Sequence, residues 1–313
     1  PFFFDTYEEY AEAAQNEKEH FVYWRGTNPT VQIAEKMLAA LEGGAACKCF
    51  ASGMAAVSAA LMCSVASGDH IILIGHVYES SVALVKYLTK FNVQYTIVHS
   101  TEIEAVAAAV TENTKAILLE SPTSFILEIV DIAAVTELAK VKGIRTIIDN
   151  SWATPLYLKP LGLGVDIVVH SASKYLGGHN DLVGGAVIAS KEIIDRMYAE
   201  EFELIGASLA PFEAWLLIRG LRTLPLRMEV HQRNGLEVAR FLSKHPVVSK
   251  VNHPGLPSHP HHDLARRQLG GYSGLFSFEL KDAAYEEIRS ALNKLRMIRI
   301  GVSWGAMESQ IIS

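Results

Sequence analysis

The chain has 313 residues, of which 50% are hydrophobic and 20% are charged, so it is long enough for a large core and for two domains. Its formal net charge is −6 and it has no block of basic residues, which argues against nucleic acid or an anionic membrane as a partner. The longest apolar stretches, such as Ala55–Met62, are too short to span a bilayer. Three cysteines do not suggest a disulfide framework, and they favour a reducing, cytoplasmic location.

Short β-branched runs alternate with helical patterns over the first two-thirds of the chain. Apolar residues with helical spacing predict helices over Val31–Leu41, Ile103–Val110 and Ile132–Lys142. Continuously apolar strands separated by helices are typical of an α/β fold, with a mostly parallel sheet covered by helices on both faces. The predicted strands are Ile71–Ile74, Gln94–Val98, Ala116–Glu120, Arg145–Asp149, Asp166–His170 and Gly185–Ala189.

The pattern changes after residue 221, where we predict a smaller C-terminal α+β domain over residues 221–313. It follows a large domain over residues 26–220 and an N-terminal arm over residues 1–25. Four histidines, His253, His259, His261 and His262, fall in a loop that we expect at the surface, and no metal site is predicted. The predicted elements are a helix over Arg222–Lys244, a loop over Asn252–His262, a strand over Gly274–Leu280 and a helix over Ala283–Arg296.

A Ser-x-Ser-Lys turn follows the predicted strand Asp166–His170. Two hydroxyls, on Ser171 and Ser173, lie beside Lys174 in this turn. A lysine can form a Schiff base with an aldehyde while neighbouring hydroxyls donate to phosphate oxygens. The turn therefore suits a phosphorylated aldehyde, although a lone lysine in such a turn is more often simply solvated.

Two further segments support that interpretation. Asp149 ends an apolar strand, where it can cap a turn or pair with a pyridinium nitrogen. Ser52, Gly53 and Met54 open an apolar helix, whose free amides and dipole favour a phosphate. Many helices begin in this way, so the Ser52–Met54 segment supports a phosphate site only together with Asp149 and the Lys174 turn.

Six ordered segments, from about residue 20 to the end, resemble the Cys/Met-metabolism family of pyridoxal-phosphate enzymes. That family includes cystathionine γ-synthase, cystathionine β- and γ-lyases and methionine γ-lyase. The resemblance implies an aspartate-aminotransferase-like fold (fold type I) and pyridoxal 5′-phosphate as cofactor. The segments are Tyr23–Thr30, Ser52–Met54, Asp149-Asn150, Ser171–His179, Arg219–Leu224 and Val302–Gly305.

The resemblance also assigns residues to roles. Lys174 is expected to carry the cofactor and shuttle protons, Asp149 to keep the pyridine nitrogen protonated, and Tyr78 to stack on the ring and assist proton transfer. Tyr23 and Arg25 are expected to reach the cofactor phosphate of a neighbouring subunit, which implies a homo-oligomer, commonly a tetramer. The expected cofactor-binding residues are Tyr23, Arg25, Ser52, Gly53, Met54, Tyr78, Asp149, Ser171, Ser173 and Lys174.

Departures from the usual family motifs favour the β-lyase members. They are the residues after Tyr78, Ser124 in place of an asparagine that contacts the cofactor, and the tryptophans Trp152 and Trp304. The segment Ala153-Thr154-Pro155, in contrast, is typical of the γ-enzymes. We therefore expect β-elimination of L-cystathionine to homocysteine, pyruvate and ammonia, with substrate contacts from Ser124, Ser303 and Trp304.

Several alternatives stay open at this point. Methionine or cystathionine γ-lyase or cystathionine γ-synthase activity would use the same residues, and a non-catalytic binding or regulatory protein could keep the fold. The arginine that holds the substrate carboxylate in the family lies beyond the Ser303-Trp304-Gly305 motif and has no counterpart before Ser313. Because the sequence also begins at Pro1 rather than at a methionine, we expect native residues beyond both ends.

Overall fold

A seven-stranded sheet forms the centre of the computed structural model, which describes residues 2–313. The strand order is β1-β7-β6-β5-β4-β2-β3, and every pairing is parallel except those of β7, which is antiparallel to both of its neighbours. The mostly parallel sheet predicted from the sequence is thus confirmed, and all six predicted strands form, with ends displaced by at most two residues. The strands are β1 (Ala46–Phe50), β2 (His70–Ile74), β3 (Gln94–Val98), β4 (Thr114–Glu120), β5 (Arg145–Asp149), β6 (Ile167–Ser171) and β7 (Gly185–Ala189).

Helices cover both faces of this sheet because alternate strand residues point to opposite faces. On one face Ile72, Ile117 and Ile148 pack with α2 and α6, and on the other Ile71 and Leu118 pack with α3, α4 and α8. The helices up to the end of this sheet region are α1 (Tyr7–Gln15), α2 (Pro29–Glu42), α3 (Gly53–Met62), α4 (Glu79–Leu88), α5 (Ile103–Ala109), α6 (Ile132–Lys142), α7 (Thr154–Tyr157) and α8 (Lys191–Met197). Of these, α1 lies in the predicted N-terminal arm, and α5 and α7 are short.

The rest of the chain forms helices and two small sheets. Strands β8 and β9 pair antiparallel, and β10 and β11 pair parallel. The strand expected from Gly274 begins only at Ser277, since the Gly274 amide donates to the Tyr175 hydroxyl at 3.0 Å instead of to a strand. These elements are α9 (Pro211–Leu221), α10 (Leu224–Leu242), β8 (Val248–Asn252), α11 (His262–Gln268), β9 (Ser277–Leu280), α12 (Tyr285–Leu292), β10 (Arg299–Ile300) and β11 (Gln310–Ile311).

The expectation of an exposed histidine loop is wrong for two of its members. His253 and His259 are buried, and burial lowers the pKa of each imidazole to about 4. The ring of His253 packs against Tyr272 and Phe276, so the loop folds back onto the small β8–β9 sheet instead of lying free.

Helix α9 ends at Leu221 and α10 begins at Leu224, close to the boundary expected between residues 220 and 221. Just after it, Arg227 of α10 donates to the carbonyl oxygen of Tyr175 at 2.6 Å and to that of Gly220 at 2.7 Å. The division into an arm, a large domain and a smaller domain stays a prediction. Among residues 2–313, none of the helices combines the length and apolar character that a bilayer span requires.

Candidate active site

The carboxyl ends of three neighbouring strands place polar residues side by side. Glu120 ends β4, Asp149 ends β5 in register with it, and Ser171 ends β6. Ligand sites in open α/β sheets lie outside the carboxyl ends of the strands. The sheet therefore directs attention to this edge, where most of the residues singled out from the sequence lie.

Lys174 lies in the turn directly after β6, with its amine only partly exposed. Its Nζ donates to Ser303 Oγ at 3.0 Å and lies 5.4 Å from the ring centroid of Trp304. Burial lowers the pKa of the Lys174 amine, and the charge of Asp149 acts in the opposite direction. A lysine held in this way gives up its proton more readily than a solvated lysine does.

Asp149 is half-buried and its carboxylate is held by one neighbouring residue. Its Oδ1 accepts from the Ser151 amide at 2.9 Å and from the Ser151 hydroxyl at 2.5 Å. Burial raises the pKa of the Asp149 carboxyl, while the Ser151 hydrogen bonds and the charges of His170 and Lys174 lower it. The Ser151 Oγ also accepts from the amide of Ser171 at 2.6 Å, so it links the ends of β5 and β6.

Ser151 was not anticipated from the sequence. The available signal was its position two residues after a strand-ending aspartate, a spacing typical of side chain to backbone turns.

The N-terminus of α3 faces the end of β6. Ser52 caps the helix by accepting from the Ala55 amide at 3.0 Å, while the first amides of a helix, here those of Gly53 and Met54, have no intrahelical acceptor. A Cβ on Gly53 would lie 2.9 Å from Ser171 Oγ, which shows how closely that hydroxyl approaches the helix. An unhindered helix N-terminus beside a hydroxyl fits a phosphate group.

Ser173 lies on the same turn but its hydroxyl is engaged within the protein. The Oγ accepts from the Gly184 amide at 3.1 Å and donates to the Gly184 carbonyl oxygen at 3.3 Å. These bonds fix the turn against the start of β7. Its expected role as a phosphate ligand stays a prediction.

Tyr78 and Ser124 reach this edge from two loops that Glu120 joins. The amide of Tyr78 donates to Glu120 Oε1 at 2.6 Å, and Ser124 Oγ lies 2.7 Å from Glu120 Oε2. Burial and, after it, the charge of Asp149 raise the pKa of Glu120 to about 8. Glu120 was missed from the sequence, although a carboxylate that ends a buried strand, like Asp149, was the signal.

The segment of Ser303 and Trp304 packs directly on the lysine turn. Gly305 has a φ of +88°, and a Cβ there would lie 2.6 Å from the amide nitrogen of Tyr175. Because only glycine allows this backbone angle and this close approach, the segment can place Ser303 against Lys174. The Trp304 ring lies 5.3 Å from that of Tyr175.

Trp152 and the N-terminal residues lie elsewhere. The Trp152 side chain is buried and its indole nitrogen donates to the Leu275 carbonyl oxygen at 3.0 Å, so it belongs to the core. Arg25 donates to the Glu203 carbonyl oxygen at 2.7 Å and pairs with its carboxylate at 2.9 Å. Tyr23 and Arg25 are therefore not brought to Lys174 of the same chain, and their action on a neighbouring subunit stays a prediction.

Comparison with known proteins agrees with this geometry. A family model described as "Cys/Met metabolism PLP-dependent enzyme" matches residues 2–313. The chain belongs to this family. It is 42% identical to cystathionine γ-synthase of Mycobacterium tuberculosis, over 93% of this chain and 75% of that protein. It is also 39% identical to L-methionine γ-lyase of Fusobacterium nucleatum, over 99% of this chain and 79% of that protein.

A solved structure of a related enzyme has the same fold as this chain. The crystal structure of cystathionine γ-lyase from Lactobacillus plantarum, complexed with L-serine, matches with a TM-score of 0.91 and 40% identity. The match covers 99% of this chain and 78% of that one. The fold of this chain is thus the fold type I of pyridoxal-phosphate enzymes, as the sequence predicted.

The cofactor of this enzyme is pyridoxal phosphate, which when bound supplies an electron sink for carbanion chemistry. The residues present fit it, because the α3 N-terminus and Ser171 offer a phosphate site near a partly buried lysine. Asp149 offers a half-buried carboxyl for a ring nitrogen. Lys174 would hold the cofactor covalently through its amine.

Proposed function

We propose that this enzyme cleaves a carbon–sulfur bond of a sulfur amino acid, with L-cystathionine as the first substrate to test. The observation that carries the proposal is the position of Lys174, whose amine is half-buried, near Asp149 and 3.0 Å from Ser303 Oγ. The same amine can hold the cofactor and, once released, serve as the base that takes a proton from the substrate.

The proposed roles of the other site residues follow from their positions. Ser171 and the first amides of α3 hold the phosphate, and Asp149 keeps a proton on the pyridine nitrogen. Ser303 orients the Lys174 amine through its hydroxyl. Tyr78, half exposed beside the site, is placed to stack on the ring and to move a proton at its phenolic oxygen.

We favour reaction at the γ-carbon of the substrate. The relatives compared above are named as γ-synthase, γ-lyase and methionine γ-lyase. In addition, Trp152 packs in the core, so it does not narrow a substrate pocket and no longer supports a β-lyase. β-Elimination of L-cystathionine is the second candidate, because Trp304 lies beside the Lys174 amine and Ser124 stands where many members have asparagine.

Product analysis with L-cystathionine separates these reactions. We expect 2-oxobutyrate and cysteine, whereas pyruvate and homocysteine would mean β-cleavage. Lys174→Ala should abolish turnover, and Lys191→Ala, at an exposed lysine on α8, is the matched control. A protein that binds the cofactor but forms no keto acid from cystathionine or methionine would instead point to a γ-synthase or to a binding or regulatory role.

We also propose that Tyr23 and Arg25 complete the site of a neighbouring subunit. Both are exposed in the single chain, and a guanidinium is well suited to bidentate contact with phosphate. If so, hybrids of Arg25→Ala and Lys174→Ala subunits should recover activity at a fraction of sites after subunit exchange. Confirmed exchange without recovery would exclude a shared site.

A further inference from the structure

Glu120 is a buried carboxyl group to which the proposed reaction gives no role. Both of its oxygens have partners, with the Tyr78 amide donating to Oε1 at 2.6 Å and Ser124 Oγ lying 2.7 Å from Oε2. A third bond, from the Ser124 amide to the His76 carbonyl oxygen at 2.6 Å, joins the same two loops. One side chain thus fixes the loop after β2 to the loop after β4.

The position of Asp149 bears on the charge of Glu120. The two residues are register partners at the ends of β4 and β5, where Glu120 is buried and Asp149 is half-buried. Two neighbouring buried carboxyl groups do not readily ionise together, because each charge opposes the other and burial opposes both. Asp149 has Ser151 and the nearby Lys174 to favour its charge, and it must be charged to hold a protonated pyridine nitrogen.

Glu120 has no cation of its own among its hydrogen-bond partners in residues 2–313. The ionisable residues that contact it or act on its charge are Tyr78 before α4, which presents its amide, and Asp149 on β5. Burial and, after it, the negative charge of Asp149 raise the pKa of Glu120 to about 8, while the hydrogen bonds from Tyr78 and Ser124 act in the opposite direction.

We propose that Glu120 is a positioning residue that works as a neutral carboxylic acid, accepting from the Tyr78 amide at Oε1 and donating its proton to Ser124 at Oε2. With that direction, the Ser124 hydroxyl accepts from Glu120 and keeps its own proton free to donate toward the cofactor. The proposal rests on the proposed function in one respect, namely that Asp149 holds the pyridine nitrogen of the bound cofactor.

Replacement by glutamine tests the neutral form directly. The amide of Glu120→Gln can accept from Tyr78 at its oxygen and donate to Ser124 at its nitrogen, so it reproduces both bonds of a protonated acid but carries no charge. Glu120→Ala removes both bonds. Glu128→Gln, at a half-buried carboxylate on the same loop, is the matched control.

Two measurements are made on the protein with cofactor bound. Infrared difference spectra report whether a protonated carboxyl is lost, since its carbonyl stretch differs from that of a carboxylate. Steady-state kinetics report kcat and KM, and the absorption of the bound cofactor reports the polarity and hydrogen bonding around it. Wild-type protein is also titrated in the infrared from neutral to alkaline pH, which needs no variant.

The expected results distinguish a neutral acid from a charged one. Glu120→Gln should lose an acid carbonyl band that Glu128→Gln keeps, and its kcat and cofactor spectrum should stay close to wild type. Glu120→Ala should lower kcat by about 10–100-fold, the scale of a misplaced catalytic group, and shift the cofactor absorption. Loss of activity in Glu120→Gln as large as in Glu120→Ala, or no acid band in wild type at neutral pH, would overturn the proposal.

Failure of the proposed function leaves a separate signature. In that case wild-type protein would turn over no sulfur amino acid, yet the infrared band and the cofactor absorption would still report on Glu120. Normal kinetics and an unchanged cofactor spectrum in Glu120→Ala would show that Glu120 positions nothing.

Discussion

Ser303 Oγ lies 3.0 Å from Lys174 Nζ, although the two residues are 129 positions apart in the chain. The contact depends on the approach of Gly305 to the backbone of the lysine turn. The amine is thus oriented by a segment from the far end of the described chain, while the residues proposed to bind the cofactor phosphate come from the N-terminus of α3 and the end of β6.

Loss of the Ser303 hydroxyl should slow turnover without displacing the cofactor. Ser303→Ala removes the hydroxyl that accepts from Lys174 Nζ, so the amine samples more orientations, and we expect kcat to fall by roughly 10-fold or more. Cofactor content should stay that of wild type. Ser309→Ala, at an exposed position in the same segment, is the control, and equal kcat in the two variants would remove Ser303 from the mechanism.

Gly305→Ala should destabilise the segment that carries Ser303 and Trp304. A side chain there meets the Tyr175 amide and must also adopt a left-handed backbone angle, at a cost of about 1–3 kcal/mol. We expect a lower melting temperature together with a lower kcat. Gly162→Ala, where an added Cβ meets no atom within 4 Å, should change neither, and an unaltered Gly305→Ala protein would refute the close packing.

Asp149→Asn should keep cofactor but lose most of the rate. The amide cannot hold a proton on the pyridine nitrogen, while the contacts at α3 and Ser171 still bind the phosphate. We expect turnover to fall by about 10²–10⁴-fold, as for removal of other groups that hold a transferred proton. Cofactor content and turnover are measured together, with the exposed Asp263→Asn as control. Full activity at full occupancy would exclude Asp149 from the chemistry.

The buried histidines should make the fold sensitive to acid. His253 and His259 have a pKa of about 4 in the folded protein, below the ordinary value of 6.5. The unfolded chain therefore binds more protons between those values, and stability is lost as the pH falls through that window. Since one pKa unit corresponds to about 1.4 kcal/mol, we expect each histidine to lower the free energy of unfolding by roughly 3 kcal/mol across that window.

Asparagine variants measure that contribution. His253 and His259 each accept from a main-chain amide at Nδ1, which the asparagine oxygen can replace without a titrating group. Between pH 7 and about pH 4, the melting temperature of the double variant should fall less than that of wild type. His245→Asn makes the same local replacement at an exposed histidine and should behave as wild type. Identical pH profiles for the double variant and wild type would contradict the burial effect.

Much of the fold was accessible to sequence reasoning because its strands are contiguous apolar runs, such as Ile71–Ile74, in which every residue is buried. The antiparallel direction of β7 could not be predicted, since Gly185–Ala189 is equally apolar whichever way the strand runs. Asp149 stood out because it ends a buried strand, and Lys174 because it lies in the turn after one. Glu120 also ends a strand, but one of its two partners, Tyr78, is 42 residues away on the loop after β2, so the pair forms no local motif.

Contacts between residues far apart in the sequence explain the other differences between the predictions and the structure. Trp152 follows Asp149 closely in sequence, yet its side chain reaches Leu275 and the core. The contact of Ser303 with Lys174 and the burial of His253 likewise depend on how segments far apart in the chain pack together. Local spacing carries no information on such pairs.

The hydrogen bonds of Arg227 connect the lysine turn to the helices α9 and α10. Its guanidinium holds the carbonyl oxygens of Tyr175, beside the lysine, and of Gly220, at the end of α9, while its own backbone belongs to α10. A rotation of α10 about the bend after Leu221 must therefore either break these bonds or pull on the turn that carries Lys174. These hydrogen bonds tie the turn that carries Lys174 to the N-terminal part of a 19-residue helix, so a small tilt of α10 would be transmitted to that turn.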